Sequence, residues 1–577
     1  MKAEIKHNSM VVICQIMLIF LCFSTLLLSD SVYVAYLPVF LVSCLCCIGN
    51  PIKEDISIVD VSFSILFSVM ITLSNYSIWN NSGIYALINF LSVSLGSYIS
   101  FINIFYWIRN HIDLVKWKNK TGKYNKTAVF FITFLSIVII DYIIFFECKF
   151  PGIISPDSIS QISQSLSGEY TNHHPFFHTI IIKMCLTIGL ELFGNINQAV
   201  ALYTAFQIIF MALCFAFTIM TLCELEVPYI LCGVISLFFL FMPYHIMYSM
   251  TIWKDIPFAG FTMLFSASVI RHFENQNCSL CNQLVMIISG FGICLFRSNG
   301  YFAFLLTGFA IFVLCFRKDK KIIRVISLCL VGSFLLKHIL LSNMNIPQPD
   351  LIESLSIPAQ QVARDIIENK DFSDAQYKLL NQVIDVNKVE DSYLTYISDP
   401  IKKLVREKDN QVYLQTHKKE YIQLYFERLL KHPFTYIKAW VDQTKGYWNG
   451  RYSYWVWYDN VDENDYGIIR TTNNSFINAK FNRYLKLYTE IPFLELFISI
   501  GLFVWINLVA LFITIIRKDI SGFIISTLLN MIILSLLIAT PVFSEFRYAY
   551  SVMCLSPVSF ILATRPDLKN GVFAEGE

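Results

Sequence analysis

Charge is scarce in this sequence. Lys, Arg, Asp and Glu make up 15% of the 577 residues and hydrophobic residues 55%, with a mean hydropathy of +0.56, which excludes an ordinary soluble domain. No excess of either sign is present: 44 basic residues against 42 acidic leave a net charge of +2, so there is no electrostatic footprint for a nucleic-acid partner. No internal repeat or low-complexity run stands out. Sixteen cysteines occur, yet the long polar segment 343–490 contains none, which excludes a disulfide framework there. Cys278 and Cys281 form a CxxC in a short loop, and read as structural.

Long apolar runs are present instead. They lie near 10–29, 32–49, 57–76, 84–108, 128–147, 176–193, 198–222, 229–249, 256–272, 282–296, 301–316, 322–342, 492–516, 521–541 and 547–564. Many approach the roughly twenty residues needed to cross a bilayer. The first reads as an anchor and not simply as a cleaved leader, because such runs recur almost to the C-terminus. The pattern predicts an all-α polytopic membrane protein.

Basic residues orient such a chain, since loops rich in Lys and Arg stay in the cytoplasm. "RNHIDLVKWKNKTGKYNK" (109–126) holds Arg109 and five lysines, and "RKDKK" (317–321), "RKD" (517–519) and "RPDLK" (565–569) follow later runs. An N-terminus inside, carrying Lys2 and Lys6, and four crossings place 109–126 inside. The run 128–147 then exits and delivers Asp157, His173 and His174 outside. If 176–193 also crossed, all three later basic clusters would fall outside. A non-spanning 176–193, in the external interface or re-entrant, puts every cluster inside and 343–490 outside, leaving about fourteen spans. Lys183 and Glu191 in that run suit the second arrangement. The alternative is that 282–316, divided here into two short runs, is a single span.

In this topology the polar residues near apolar runs collect on one face. Asp157 lies in "SPDSIS", His173 and His174 in "HHPFFHT", Lys254 and Asp255 in "TIWKDIPF", Arg297 and Asn299 in "FRSNGY", and Glu545 and Arg547 in "SEFRYAY". Charges at membrane depth cost on the order of 2.5–3.5 kcal/mol each, which makes them functional candidates. Singly, each has a plainer reading: an interfacial ion pair, a helix cap at Asp157, a cap or stack at His174. Together they suit a phosphate carried on a lipid. Arg and Lys clamp phosphoryl oxygens, a carboxylate takes the proton of an acceptor hydroxyl, and the cations stabilise the departing phosphate. The tract "GYWNGRYSYWVWYDN" (446–460), with Tyr447, Trp448, Arg451, Trp455 and Trp457, either stacks on sugar rings or forms an interfacial belt or domain core.

The order of these motifs resembles the glycosyltransferases of the C-type membrane fold (GT-C), which include protein O-mannosyltransferases, aminoarabinose transferases and oligosaccharyltransferases. An acid in the first external loop, a His-Pro opening an external helix, "LFGNINQAVALYTAFQ" leading into a span, and a second acid after two further spans carry the likeness over about 128–564. "RSNG" and "EFRYAY" look like elements of bacterial membrane proteins assigned to that superfamily. The resemblance implies Asp157 as the acceptor-side catalytic carboxylate and Asp255 as the second acid. It implies Lys254, Arg297 and Arg547 as donor-phosphate contacts; the polar collection itself adds His173, His174, Asn299 and Glu545, and the aromatic tract Trp448, as candidate binding residues. The chain departs from the family in lacking a second proline after His174-Pro175, and in offering Gln198 and Gln207 where an arginine often follows the interfacial helix.

The expected organisation is a four-helix membrane module with its basic loop (1–127), a GT-C-like core (128–342) with a catalytic external loop (148–197), a small α-rich extracytoplasmic domain (343–490) and C-terminal membrane helices (491–577). The expected function is transfer of a sugar from a polyprenyl-phosphate donor to an extracytoplasmic glycan, lipid or protein, at the outer face of the cell membrane. Asp157 and Asp255 together can hold Mg2+ or Mn2+, and the sequence leaves open whether a metal is needed. Two other readings stand beside this one. A lipid-linked glycan flippase would show inverted repeats and broken spans, and the sequence shows no such repeat; an oligosaccharide ligase or polymerase is chemically close.

Overall fold

The computed structural model describes residues 2–27, 36–49, 55–80, 83–115, 117, 125–274, 279–316, 319–407, 411–450 and 455–566. It is 81% helical without a β-strand among the described residues. Eleven described helices are long and apolar enough to cross a membrane, or twelve if a helix pair bent by 55° at residue 242 is one span. The chain is an all-α, multi-pass membrane protein. Cys278 and Arg451 lie outside the described residues.

Helices α1 (Lys2–Leu27), α2 (Tyr36–Gly49), α3 (Ile58–Ser74) and α4 (Ile84–His111) come first. They are followed by α5 (Lys126–Ile144), α6 (Pro156–Ser167), α7 (Phe176–Phe193), α8 (Ile196–Glu224), α9 (Tyr229–Phe241), α10 (Pro243–Ser249), α11 (Asp255–Glu274), α12 (Leu280–Phe296), α13 (Ser298–Cys315) and α14 (Lys320–Leu335). Apolar runs form these helices, and polar side chains mark where several of them begin. Asn195 Oδ1 accepts from the amides of Asn197 and Gln198, Ser279 Oγ from Asn282 and Asp319 Oδ1 from Lys321 and Ile322, satisfying N–H groups that the helix leaves free.

Segment 282–316 is two helices. The α12 helix ends at Phe296, Arg297 is extended (φ −141°, ψ 142°), and α13 runs back. Gly300 permits the reversal, because a Cβ there would meet the Ile293 carbonyl and the Phe258 ring.

Helix α7 takes an unusual path. Its first turn packs on Leu341 and Ile346, beyond the end of α14, and Asn172 just before it donates its amide to Pro347 O at 2.8 Å. Eleven residues apart on α7, His178 and Gly189 face Tyr203 and Ala199, only four residues apart on α8. The two helices pack through Ile182 and Leu186 on one side and Ala199, Val200 and Tyr203 on the other.

Beyond α14, helices α15 (Ser356–Glu368), α16 (Asp399–Glu407) and α17 (Pro433–Trp448) lie in a helical segment whose own core includes Ile352, Ala363, Val383, Ile401 and Leu404. Arg428 is buried there against Asp365 at 2.6 Å. Residues 455–474 form no helix and bridge back at Val461 and Thr471, and α18 (Ser475–Glu490), α19 (Ile500–Arg517), α20 (Ile520–Ala539) and α21 (Tyr550–Ala563) follow.

Ion pairs tie together the end of the bundle opposite α7. Arg109 holds Asp60 at 2.9 Å, Arg517 holds Asp113 at 3.1 Å, Arg565 holds Glu274 at 2.9 Å, and Arg271 and His272 reach Glu224 and Asp319. Residues from all four basic segments of the sequence, Arg109, Asp319, Arg517 and Arg565, thus meet at one end.

Close packing joins α17 to α19, where a Cβ on Gly501 would collide with the backbone of Asn449. Gly501→Ala is expected to lower stability by about 1–3 kcal/mol, the usual cost of overpacking. Gly233→Ala on α9, where a Cβ meets nothing within 4 Å, should leave it unchanged or slightly raised. Thermal unfolding in detergent, followed by size-exclusion fluorescence, checks the pair.

Candidate active site

Backbone pairing places the first acid. After a turn at Pro151 and Gly152, residues 153 and 154 run between two other stretches: Ile153 N donates to Met250 O at 2.9 Å and Ile252 N to Ile153 O at 3.1 Å, while Ile154 N donates to Asn460 O and Asp462 N to Ile154 O, both at 3.0 Å. The chain then enters α6, with Ser155 at the cap, its amide donating to Ser158 Oγ at 3.1 Å, and Pro156 at the first helical position. The cap is therefore Ser155, which frees Asp157 from the capping role its position suggested. Its carboxylate accepts from Arg547 Nη1 at 2.8 Å.

The second acid opens α11, where the helix N-terminus favours a carboxylate. Asp255 pairs with Arg297 Nη1 through Oδ1, and its Oδ2 is buried with no hydrogen-bond partner. The two acids differ in access: the Asp157 side chain is 36% exposed and that of Asp255 is 0% exposed. Only Asp157 can meet a ligand without rearrangement.

One aromatic ring joins the pairs. The guanidinium carbons of Arg297 and Arg547 lie 4.6 and 5.2 Å from the centroid of Tyr548, and Arg547 also lies 4.7 Å from the Trp253 ring, cation–π distances worth more where water is excluded. Trp253 Nε1 donates to Ser155 Oγ at 2.7 Å. Arg297 Nε donates to Asn299 Oδ1 at 3.0 Å, and Asn299 Nδ2 to Ser535 Oγ at 3.0 Å. Arg547 Nε lies 3.0 Å from Glu545 Oε1, and the Glu545 amide donates to the Tyr447 hydroxyl at 3.1 Å.

Lys254 Nζ stands 3.3 Å from His174 Nδ1, and the His173 ring meets that of His174 edge-on at 4.9 Å. Burial and then Lys254 hold His174 down to about 3, so it is a neutral acceptor for the ammonium. Burial lowers the Lys254 pKa, and Asp157 and Asp255 partly offset this. For Asp157, burial works upward, but Arg547, then Lys254 and His174, outweigh it and hold the carboxyl well below the usual carboxylate range. Burial pushes Glu545 up against the pull of Arg547.

Asp157, His173, His174, Lys254, Asp255, Arg297, Asn299, Glu545 and Arg547 are thus brought to one place. Trp448 is not. It is 4% exposed, its indole stacked on Trp440 at 5.8 Å and its Nε1 donating to Thr444 at 3.1 Å, so it is a core residue with no free face for a sugar. Trp455, 54% exposed, keeps one. Sequence reasoning missed Trp253 and Tyr548, although each adjoins a cation already singled out, and an aromatic neighbour is the cation–π signal. It also missed the buried chain Gln161–His178–Tyr203–Gln207. Here His178 contacts Gln161 Oε1 at 3.0 Å and the Tyr203 hydroxyl at 2.6 Å, Tyr203 donates to Gln207 Oε1 at 3.0 Å, and Gln207 Nε2 donates to the carbonyls of Tyr248, Ser249 and Thr251. The chain links α6, α7 and α8 to the end of α10 and the turn before Lys254.

Each acid already faces a guanidinium, and among the described residues no three His, Cys, Asp or Glu side chains are grouped to hold a metal. Mg2+ or Mn2+ held by these carboxylates together with water and a phosphate would have to displace Arg547 from Asp157 or Arg297 from Asp255.

Residues 165–571 match a family described as a family of unknown function, DUF6020. The chain belongs to that family. The match contains every residue of the cluster except Asp157 and its neighbours in 155–158, which precede it. No curated protein and no solved structure matches the chain.

Two measurements test the electrostatics. Arg297→Met leaves the Asp255 carboxylate buried without a partner and should cost ~3–5 kcal/mol in stability; adding Asp255→Asn should recover most of it in thermal unfolding. His174 binds its proton less readily folded than unfolded, so stability falls as pH drops from about 6.5 towards its folded value of about 3, the unfolded state taking up the proton first. In His174→Gln the unfolding midpoint should vary less over that window than in wild type.

Proposed function

We propose that this protein is an integral membrane glycosyltransferase that moves a sugar from a polyprenyl-phosphate donor to an extracytoplasmic glycan, lipid or protein. The observation that carries the reading is the convergence of Asp157–Arg547 and Asp255–Arg297 on Tyr548 beside Lys254. Three cations at the end of an apolar bundle suit a phosphate whose tail stays in lipid.

In the transfer step, the acceptor oxygen forms a bond to the anomeric carbon as the bond from that carbon to the phosphate oxygen breaks. The electron pair leaves with the phosphate, and the acceptor proton passes to Asp157. Arg547, Lys254 and Arg297 stabilise the departing charge. An apparent conflict lies in the basicity of Asp157, which Arg547 holds low. A donor phosphate that draws the guanidinium towards itself removes this restraint, so donor binding would switch the base on. Asp255, closed off behind Arg297, acts as the counter-ion that keeps that arginine in place.

The meeting of Arg109, Asp319, Arg517 and Arg565 at the opposite end supports a cytoplasmic assignment for that end, and an outer-face site in the cell membrane. The polar Lys183 and Glu191 within α7 and the parity of the basic segments support an interfacial, non-spanning α7. Ten long candidates, the bent pair α9–α10 as one span, and the three shorter apolar helices α2, α3 and α12 then make fourteen crossings. On this reading 343–490 is the extracytoplasmic domain, between the core 128–342 and the C-terminal helices 491–577, with the module 1–127 added in front.

The test is sugar transfer by purified protein, wild type against Asp157→Asn, with a panel of radiolabelled polyprenyl-phosphate sugars and a membrane extract as acceptor. Transfer should fall about a hundredfold or more in the variant, the scale of a lost positioned base. Equal transfer would remove Asp157 from the mechanism, and donor movement across liposomes without transfer would favour a flippase.

A further inference from the structure

A second cation lies deeper in the membrane region, outside the cluster. Lys337 falls within the 24-residue apolar span Lys320–Asn343, in a widened turn, Leu336–Leu340, that follows α14. Such turns insert an extra residue and often mark functional positions. Among the described residues no carboxylate pairs with Lys337; its neighbour is the ring of Tyr301, whose centroid lies 5.4 Å from Nζ. Phe334, Leu335, Ile339 and Leu340 around it are 40–51% exposed, an apolar surface that faces lipid in a membrane span. Every cation of the cluster described above has a carboxylate, a histidine or an aromatic ring with a carboxylate beside it. Lys337 has the ring alone.

The position relative to the site is set by neighbouring contacts. Tyr301 lies in the first turn of α13, four residues after Arg297. Leu341, four residues after Lys337, packs on Phe176 of α7. Lys337 is therefore on the site's end of the bundle and a turn or so below it, with its ammonium held between lipid and the Arg297 turn. A lysine that only anchors a helix end extends its ammonium into water; this one is directed onto an aromatic face inside the span.

We infer that Lys337 and Tyr301 form a lateral binding site for the phosphate group of a lipid, at the lipid-facing edge next to the Arg297 turn. An unpaired ammonium in an apolar span is costly, and a lipid phosphate is the anion available at that depth. Two sources carry this group, a polyprenyl phosphate and a membrane phospholipid. The site is read out as binding, so it stands or falls separately from the transfer reaction proposed above.

Native mass spectrometry of the full chain in detergent, titrated separately with a long-chain polyprenyl monophosphate, the uncharged polyprenol of the same length and phosphatidylglycerol, tests it. Measurements on an Arg547→Gln background remove a contribution from the main cluster. Lys337→Gln should weaken binding of polyprenyl phosphate about tenfold, the effect of losing one charge-assisted contact. Lys337→Arg should keep most of it, Tyr301→Leu should lose several-fold, and polyprenol should bind all forms alike. Weakening confined to the polyprenyl phosphate assigns the site to that lipid; equal weakening of phosphatidylglycerol assigns it to phospholipid headgroups. Unchanged binding of both phosphates in Lys337→Gln and Lys337→Met overturns the site. Both substitutions remove a charge from an apolar span, and the thermal midpoint verifies folding.

Discussion

Two guanidinium–carboxylate pairs held against one aromatic ring, at the edge of an apolar bundle, impose the constraint that the surrounding structure meets. Taking such charges out of water costs several kcal/mol per ion unless geometry and further hydrogen bonds compensate. The compensation here comes from distant parts of the chain. Asn299 and Ser535 complete Arg297, Glu545 and Asp157 complete Arg547, and Tyr548 covers both cations. Interruptions of regular helix accompany this arrangement: the extended Arg297, the turn before Tyr550, and the non-helical 150–154. Each places a polar side chain where a continuous helix would have kept it among apolar neighbours.

The second ionic network, at the far end, gives the bundle a defined length. A 20-residue helix rises about 30 Å, so α11 alone sets Asp255 apart from Glu274 by roughly the thickness of a hydrocarbon core. The far network binds helix ends with arginine–carboxylate pairs, and Asp60 Oδ1 there is buried without a partner, as Asp255 Oδ2 is at the site end. At the site end Asp157 is partly open as well.

The apolar runs and the collection of polar motifs at one end were legible because both depend on chemistry that sequence displays directly: about twenty apolar residues for a span, and the rarity of charge within one. The division at Arg297 was legible for the same reason, a cation set between two short runs. Which acid meets which arginine was not legible, because the partners are 390 residues apart for Asp157 and 42 for Asp255 and only the fold chooses between them. Trp448 was misassigned because an aromatic tract looks the same whether its rings face solvent or a neighbouring helix; the stacking on Trp440 decides it. The His178–Tyr203–Gln207 chain was hidden for a related reason. Its residues are unremarkable apart and acquire a role only when α6, α7 and α8 cross.

The pairing of 150–154 with 460–471 has a mechanical meaning. The helical segment that follows α14 returns to the membrane bundle through a non-helical stretch joined at two isolated bridges, Phe150 with Thr471 and Ile154 with Val461, to the loop that carries Asp157. That segment cannot lift away as an independent body without first unzipping those backbone bonds. A load applied to it would divide between the helix ends it packs on, through Trp440 and Gln443, and the bonds beside Asp157, so the site would feel it directly.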